Sequence, residues 1–268
     1  LEYDHADIFE NIDMIKKQFH HLVRIIPSKG EIIIPADDKN IDDVIKMGCW
    51  SHLIKTGAPG TNYYYELLSL DGSSFMVFDE KCAEVGIVNW EAIGLHNVKN
   101  ALMAIAAAQY VGVDPKVAVE ALCSFKLPKR RMEYKGEAGG VELYDDFAHH
   151  PTAIKTTLHG LREKVGANKR IIAVFEPRSN TMKMGVNHEQ LAGSLAEANE
   201  VFMYAPDGLK WNTDELSNGK TFRVCHDFEA MLKDIVNYCQ AGDVILVMSN
   251  GGFNGIQGKL LTLLGQKK

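Results

Sequence analysis

The sequence has no CxxC pair, no apolar run long enough to cross a bilayer, no surplus of basic charge and no Met at its first position. Each shortage excludes something. The five cysteines, Cys49, Cys82, Cys123, Cys225 and Cys239, are odd in number and widely spaced, which argues against a disulfide framework and against a zinc site. A reducing cytoplasm is the simplest setting. A spanning helix needs about 20 consecutive apolar residues, so no membrane insertion is expected, and the opening LEYDHADIFE is acidic where a secretory signal is basic. Lys plus Arg number 29 against 35 Asp plus Glu, a formal charge of −6, so no nucleic-acid partner is expected and only local basic pockets for phosphates remain. Low-complexity segments and internal repeats are absent.

What is present is ordinary for a folded soluble protein: 46% hydrophobic and 24% charged residues. At about 150 residues per domain, 268 residues suggest two domains. The start at Leu1, followed at once by a charged cluster, reads as a cut inside a longer protein.

Ile8, Ile12, Ile15, Phe19, Leu22, Val23 and Ile26 recur at the three- and four-residue spacing of one helix face, and Pro27 ends that pattern. From Gly30 to Trp90 the segments EIIIPADD, YYYELLSL, SSFMVFDE and AEVGIVNW alternate like strands, predicting a small, largely antiparallel region. A helix carrying Val98, Ala101, Leu102, Ile105 and Ala106 follows, and Asp114-Pro115 opens another. Pro128 and the basic run 129–131 mark a hinge, dividing the chain into 1–127 and 128–268. Beyond it come a hairpin turning at Gly139-Gly140, a helix over 151–164, the strand RIIAVF, a helix over 187–198, the strands EVFMYA and TFRVC, a helix around Phe228–Val236, the strand DVILVMS and a last helix from Phe253. That alternation predicts an α/β fold with a mostly parallel sheet covered on both faces.

Several clusters carry chemistry. YDDFAHHPTAI crowds Asp145, Asp146, His149 and His150 between a strand end and the Pro151 that starts a helix, where ligands of such sheets bind; helix capping by these side chains is the plainer alternative. Asn97 and Asn100 share a face at the start of an Ala-rich helix and suit the edge of adenine, against simple N-capping by Asn97. Glu2, Asp4, His5 and Asp7 can bind a divalent cation or be a solvated acidic terminus. Arg131 can clamp a phosphate or be hinge charge. Arg178, Ser179, Asn180, Thr181 and Lys183 in FEPRSNTMKMG can fix a carboxylate or peptide, or form a plain surface turn. The glycines of SNGGFNGIQGK expose backbone N–H groups without completing a GxGxxG fingerprint. Asn218-Gly219-Lys220-Thr221 holds the letters GKT but no P-loop, because the position five before Gly219 is Asp214.

Taken together, DHAD at 4–7, GLHNVKNA at 94–101, RRME at 130–133 and YDDFAHHPT at 144–152 resemble the ordered motif set of the Mur ligases over nearly the whole chain. The EPRSNTMKMG stretch and the MSNGGFNGIQGKLL ending resemble the branch of that family that joins the tripeptide L-alanyl-γ-D-glutamyl-meso-diaminopimelate to UDP-N-acetylmuramate in peptidoglycan recycling. The resemblance implies the last part of a central ATPase domain followed by a Rossmann-like C-terminal domain, with the UDP-binding domain and the P-loop lying outside this sequence. It implies a cytoplasmic ligase that uses ATP and Mg2+ on UDP-N-acetylmuramate and the murein tripeptide. By the same carry-over, His5 is the magnesium ligand, Asn97 and Asn100 flank adenine, and Arg131 stands at the phosphates. Asp146, rather than Asp145, contacts the nucleotide. Arg131, Asp146 and His5 are then the catalytic set, while Arg178, Ser179 and Asn180 receive the incoming peptide and His149 and His150 mark the same cleft. The implied reaction phosphorylates the lactyl carboxylate to an acyl phosphate, which the amine of the L-alanyl end attacks. The alternatives are a ligase that adds L-alanine, which shares the DDxxHHPT pattern, and a non-catalytic nucleotide- or peptide-binding module. A nicotinamide oxidoreductase is disfavoured, because RIIAVF runs into EPRSN instead of a glycine-rich turn.

Overall fold

The computed structural model describes residues 1–217 and 221–267. Residues 218–220, and with them most of the NGKT letters, lie outside the described residues. The chain divides into two units, Leu1–Lys126 and Leu127–Lys268.

In the first unit, α1 (Ile12–Ile25) starts at Asn11, whose side chain accepts the Met14 amide. Its apolar stripe is only partly covered. Ile15 and Val23 are buried, but Phe19, Leu22 and Ile25 are exposed and Ile8 precedes the helix, because periodicity marks an apolar face without stating what packs on it. Then follow β1 (Glu31–Pro35), α2 (Lys39–Lys46), β2 (His52–Thr56), β3 (Tyr63–Leu67), β4 (Ser74–Asp79), β5 (Glu84–Asn89), α3 (Leu95–Tyr110) and α4 (Pro115–Cys123). The sheet order is β1-β2-β3-β4-β5. The expectation of a largely antiparallel region is corrected: β1, β2 and β3 are parallel, and only β3-β4 and β4-β5 are antiparallel. The short helix α2, capped by Asp38, and the strand β2 were not foreseen, and a helical crossover between β1 and β2 makes that pair parallel. Phe75, Val77 and Val88 of the sheet pack against Val98, Leu102 and Ile105 of α3 and Val119 of α4.

The second unit comprises β6 (Glu133–Ala138), β7 (Val141–Asp146), α5 (Pro151–Val165), β8 (Ile171–Phe175), α6 (Asn180–Met184), α7 (His188–Ser194), β9 (Glu200–Tyr204), β10 (Phe222–Cys225), α8 (Phe228–Tyr238), β11 (Val244–Met248) and α9 (Ile256–Gln266). Its six strands run β10-β9-β8-β11-β7-β6, all neighbours parallel except the β6-β7 hairpin. Gly139 and Gly140 both have positive φ, 59° and 75°, as a two-residue type I′ turn demands.

Every residue of β8 and β11 is buried, and alternate side chains serve opposite faces. Ile171, Ala173 and Phe175 join Leu246, α5 residues Ile154 and Leu158, and Leu191 of α7. Ile172 and Val174 join Val247, α8 residues Met231 and Ile235, and α9 residues Ile256 and Leu260. The expected helix over 187–198 is the shorter α7, His188–Ser194, and the five-residue α6 before it, which ends at Gly185 in the left-handed conformation (φ 75°, ψ 15°), was not foreseen. The last helix begins at Ile256, after a 3-10 turn at Phe253–Gly255.

Candidate functional site

Register puts Asp146, Met248 and Phe175 side by side at the carboxyl edge of the second sheet. The segments after β7, β8 and β11 therefore emerge together, at the edge where ligands of parallel α/β sheets bind. Arg131, Asp146, His149, His150, Arg178, Ser179 and Asn180 all lie on these segments or on the turn paired with them.

Asp145 and Asp146 are 3% and 4% exposed. A carboxylate so buried needs hydrogen-bond partners. Asp145 Oδ1 accepts from Gln257 Nε2 at 2.8 Å, and Oδ2 faces Arg130 Nε at 3.4 Å. The Arg130 guanidinium also donates to the Ser249 carbonyl. Asp146 Oδ2 accepts the Met132 amide at 2.8 Å, while Oδ1 accepts the Ala148 amide at 2.8 Å and Thr157 Oγ1 at 3.4 Å. Burial pushes the Asp146 carboxyl above its ordinary value; the two amides, the Arg131 charge and Thr157 oppose this only in part.

Arg131 sits between two residues in the left-handed region, Arg130 (φ 62°) and Met132 (φ 48°). Such backbone persists where surrounding contacts over-determine it. Here Glu133 accepts the Arg130 amide, the Arg130 carbonyl accepts the Phe147 amide, and Asp146 holds Met132. The exposed Arg131 guanidinium lies 5.5 Å from the Phe147 ring centre, with Arg130 at 5.2 Å from the same ring.

His150 is the N-cap residue of α5 but makes no side-chain capping bond, so capping does not explain it. Its Nε2 lies 3.2 Å from Asn187 Nδ2, and His149 Nδ1 lies 3.1 Å from the Phe147 carbonyl. Ser179 caps α6 through the Met182 amide, and Asn180 opens that helix. Among the described residues, Arg178 makes no hydrogen bond or ion pair. Ser249 Oγ ties the segments together, donating to the buried Glu176 Oε2 at 2.7 Å and accepting the Gly251 amide at 2.9 Å.

The remaining predicted residues lie in the first unit. Asn97 Nδ2 donates to the Ile93 carbonyl at 2.7 Å; Gly94, not Asn97, is the N-cap of α3, and Asn100 is exposed one turn on. His5 is exposed in a left-handed turn (φ 54°) whose carbonyl accepts the Ile8 and Phe9 amides. Among the described residues no group of three or more His, Cys, Asp or Glu side chains gathers in metal-binding geometry. A cleft of about 570 Å3 in the same unit, lined by Glu31, His52, Asp79, Glu84 and Asp114 among others, contains none of the predicted residues.

Sequence reasoning did not single out Arg130, Glu176, Ser249 or Gln257. Arg130 was present only as part of a basic run, and nothing in the spacing pairs Gln257 with Asp145, 112 positions away.

Comparison with known proteins agrees with this architecture. Residues 1–108 match the Mur ligase middle domain, and residues 130–251 match the Mur ligase, glutamate ligase domain. The UDP-N-acetylmuramate--L-alanyl-gamma-D-glutamyl-meso-2,6-diaminoheptandioate ligase of Escherichia coli (strain K12) is 50% identical over 270 residues, covering 100% of this chain and 58% of the relative. A UDP-N-acetylmuramate--L-alanine ligase of Clostridium acetobutylicum is 32% identical, over 94% of this chain and 57% of the relative. A crystal structure of a murein peptide ligase from Psychrobacter arcticus superposes with a TM-score of 0.73 at 43% identity, over 97% of this chain and 56% of that one. The chain thus spans less than two thirds of the length of these relatives. With both Mur ligase domains matched in succession and a mostly parallel second sheet carrying Asp145 and Asp146 at the end of β7, the chain belongs to the Mur ligase family.

Proposed function

We propose that this chain serves an ATP-dependent amide ligase that joins L-alanyl-γ-D-glutamyl-meso-diaminopimelate to UDP-N-acetylmuramate in the cytoplasm, during peptidoglycan recycling. The observation that carries this reading is 50% identity along the whole chain to a ligase named for that tripeptide, against 32% to one named for L-alanine. Among the described residues, no helix is long and apolar enough to cross a membrane, which accords with it.

ATP supplies the phosphoryl group that converts the lactyl carboxylate to an acyl phosphate. As in the family, Asn97 and Asn100 flank the adenine and Asp146 contacts the nucleotide. Arg131, held by its left-handed neighbours, offsets charge that builds on phosphate oxygens as the amine attacks. Arg178, Ser179 and Asn180 receive the peptide beside His149 and His150. Magnesium would be held mainly by oxygen ligands and waters and would offset phosphate charge, and His5 is the side chain of this chain that would be its ligand.

The test is release of ADP by the protein at its native length, supplied with UDP-N-acetylmuramate, ATP and the tripeptide. Release that depends on both acceptor and tripeptide supports the reading, and release that follows L-alanine instead moves the protein to the other branch.

A further inference from the structure

Gly251 lies outside the left-handed region, so its backbone would accept a residue with a side chain. Space forbids it. A Cβ there would fall 2.5 Å from Arg178 Nε and 2.6 Å from Arg178 Nη1, and closer still to Cδ. At the neighbouring Gly252 the same position is open. The loop cannot retreat from Arg178, because the Glu176 amide donates to the Met248 carbonyl, Ser249 Oγ donates to Glu176, and the Gly251 amide donates to Ser249 Oγ. Two segments that the sequence shows as separate motifs, FEPRSN and SNGGFNG, are thereby locked side by side with the arginine lying across the glycine.

We propose that Gly251 is a positioning residue: its missing side chain leaves the groove in which Arg178 lies, aiming the guanidinium at a carboxylate of the incoming peptide. The inference rests on the peptide reading above. A planar guanidinium fork recognises a carboxylate by two parallel hydrogen bonds, and a fork already laid in place loses less rotamer freedom on binding. The atoms that meet the added Cβ are the far end of a flexible side chain. Gly251→Ala therefore folds, and Arg178 gives way.

The experiment is calorimetric titration of the native-length protein with L-alanyl-γ-D-glutamyl-meso-diaminopimelate, using wild type, Gly251→Ala, Arg178→Ala and the double variant. The proposal expects each single change to weaken binding about tenfold or more, the double variant to bind no more weakly than Arg178→Ala, and Gly251→Ala to keep the wild-type melting temperature. Wild-type affinity in Gly251→Ala, or additive losses in the double variant, overturns the inference and leaves the peptide reading intact. Wild-type affinity in Arg178→Ala overturns both. The Arg178 Nε–H resonance of the ligand-free protein is a second readout: it moves toward the position of a solvent-averaged arginine in Gly251→Ala, and an unmoved signal overturns the proposal whatever the peptide does.

Discussion

Asp146 Oδ2 accepts the backbone amide of Met132 at 2.8 Å, which ties the end of β7 to the strained turn that carries Arg131. That buried carboxylate thus fixes the backbone just after the exposed arginine, while Glu133 and the Phe147 amide hold Arg130 just before it. Because burial raises the Asp146 pKa in the folded state, its contribution to stability is fully present below 3.8 and is lost as pH rises through the folded value. The stability of wild type minus that of Asp146→Asn is expected to fall as pH rises from about 3.8 and to flatten above the raised value. Urea titrations across pH 3–7 check it, and a difference that grows with pH contradicts it.

The two neighbouring aspartates differ in their partners. Asp145 is spent on Gln257 and Arg130, whereas Asp146 neighbours Arg131. Asp146→Ala is expected to abolish ligase turnover in the native-length protein. Turnover lost with Asp145→Ala but kept with Asp146→Ala would reverse the assignment.

Glu142 accepts from Lys169 at 2.5 Å and from the Tyr144 hydroxyl at 3.1 Å, and the lysine holds its carboxyl below the ordinary 4.5. A lowered carboxylate stabilises above its unfolded value and ceases to as pH falls through the folded one. The pair is partly exposed, so Glu142→Gln is expected to cost under about 1 kcal/mol at neutral pH, with the cost shrinking as pH falls below 4.5 and vanishing only below the lowered folded value. Chemical denaturation at pH 7 and pH 3.5 reads this directly.

Gly139 has φ 59°, and a Cβ there would lie 2.7 Å from the Leu264 backbone oxygen. Neither the left-handed backbone nor the contact with another backbone yields cheaply. Gly139→Ala is expected to destabilise the second unit by about 1–3 kcal/mol. A change within experimental error in urea unfolding would show that the hairpin is not anchored on α9.

Much of the second unit was legible because its strands are buried on both faces and its helices carry full apolar stripes, so period and length agree for β8, β11, α5 and α8. The hairpin was legible from two glycines. Where elements are short, the signal fails: α2 has eight residues, β2 begins with an exposed His52, and α6 has only five residues. The α1 stripe gave the helix but not its cover. In the site, Asp145, Asp146, His149 and His150 stood out as a local crowd of titratable groups. Their partners Arg130, Ser249 and Gln257 did not, because long-range hydrogen bonds have no spacing to read. The glycine-rich loop was noticed for its amides, yet the Gly251 amide is already spent on Ser249, and what matters there is the missing side chain beneath Arg178.

The measurement that bears most directly on the central claim is a competition at native length. UDP-N-acetylmuramate, ATP, the tripeptide and L-alanine are supplied together, and the products are weighed by mass spectrometry. The account predicts UDP-N-acetylmuramoyl-tripeptide with stoichiometric ADP and phosphate; UDP-N-acetylmuramoyl-L-alanine as the main product, or no amide at all, would contradict it.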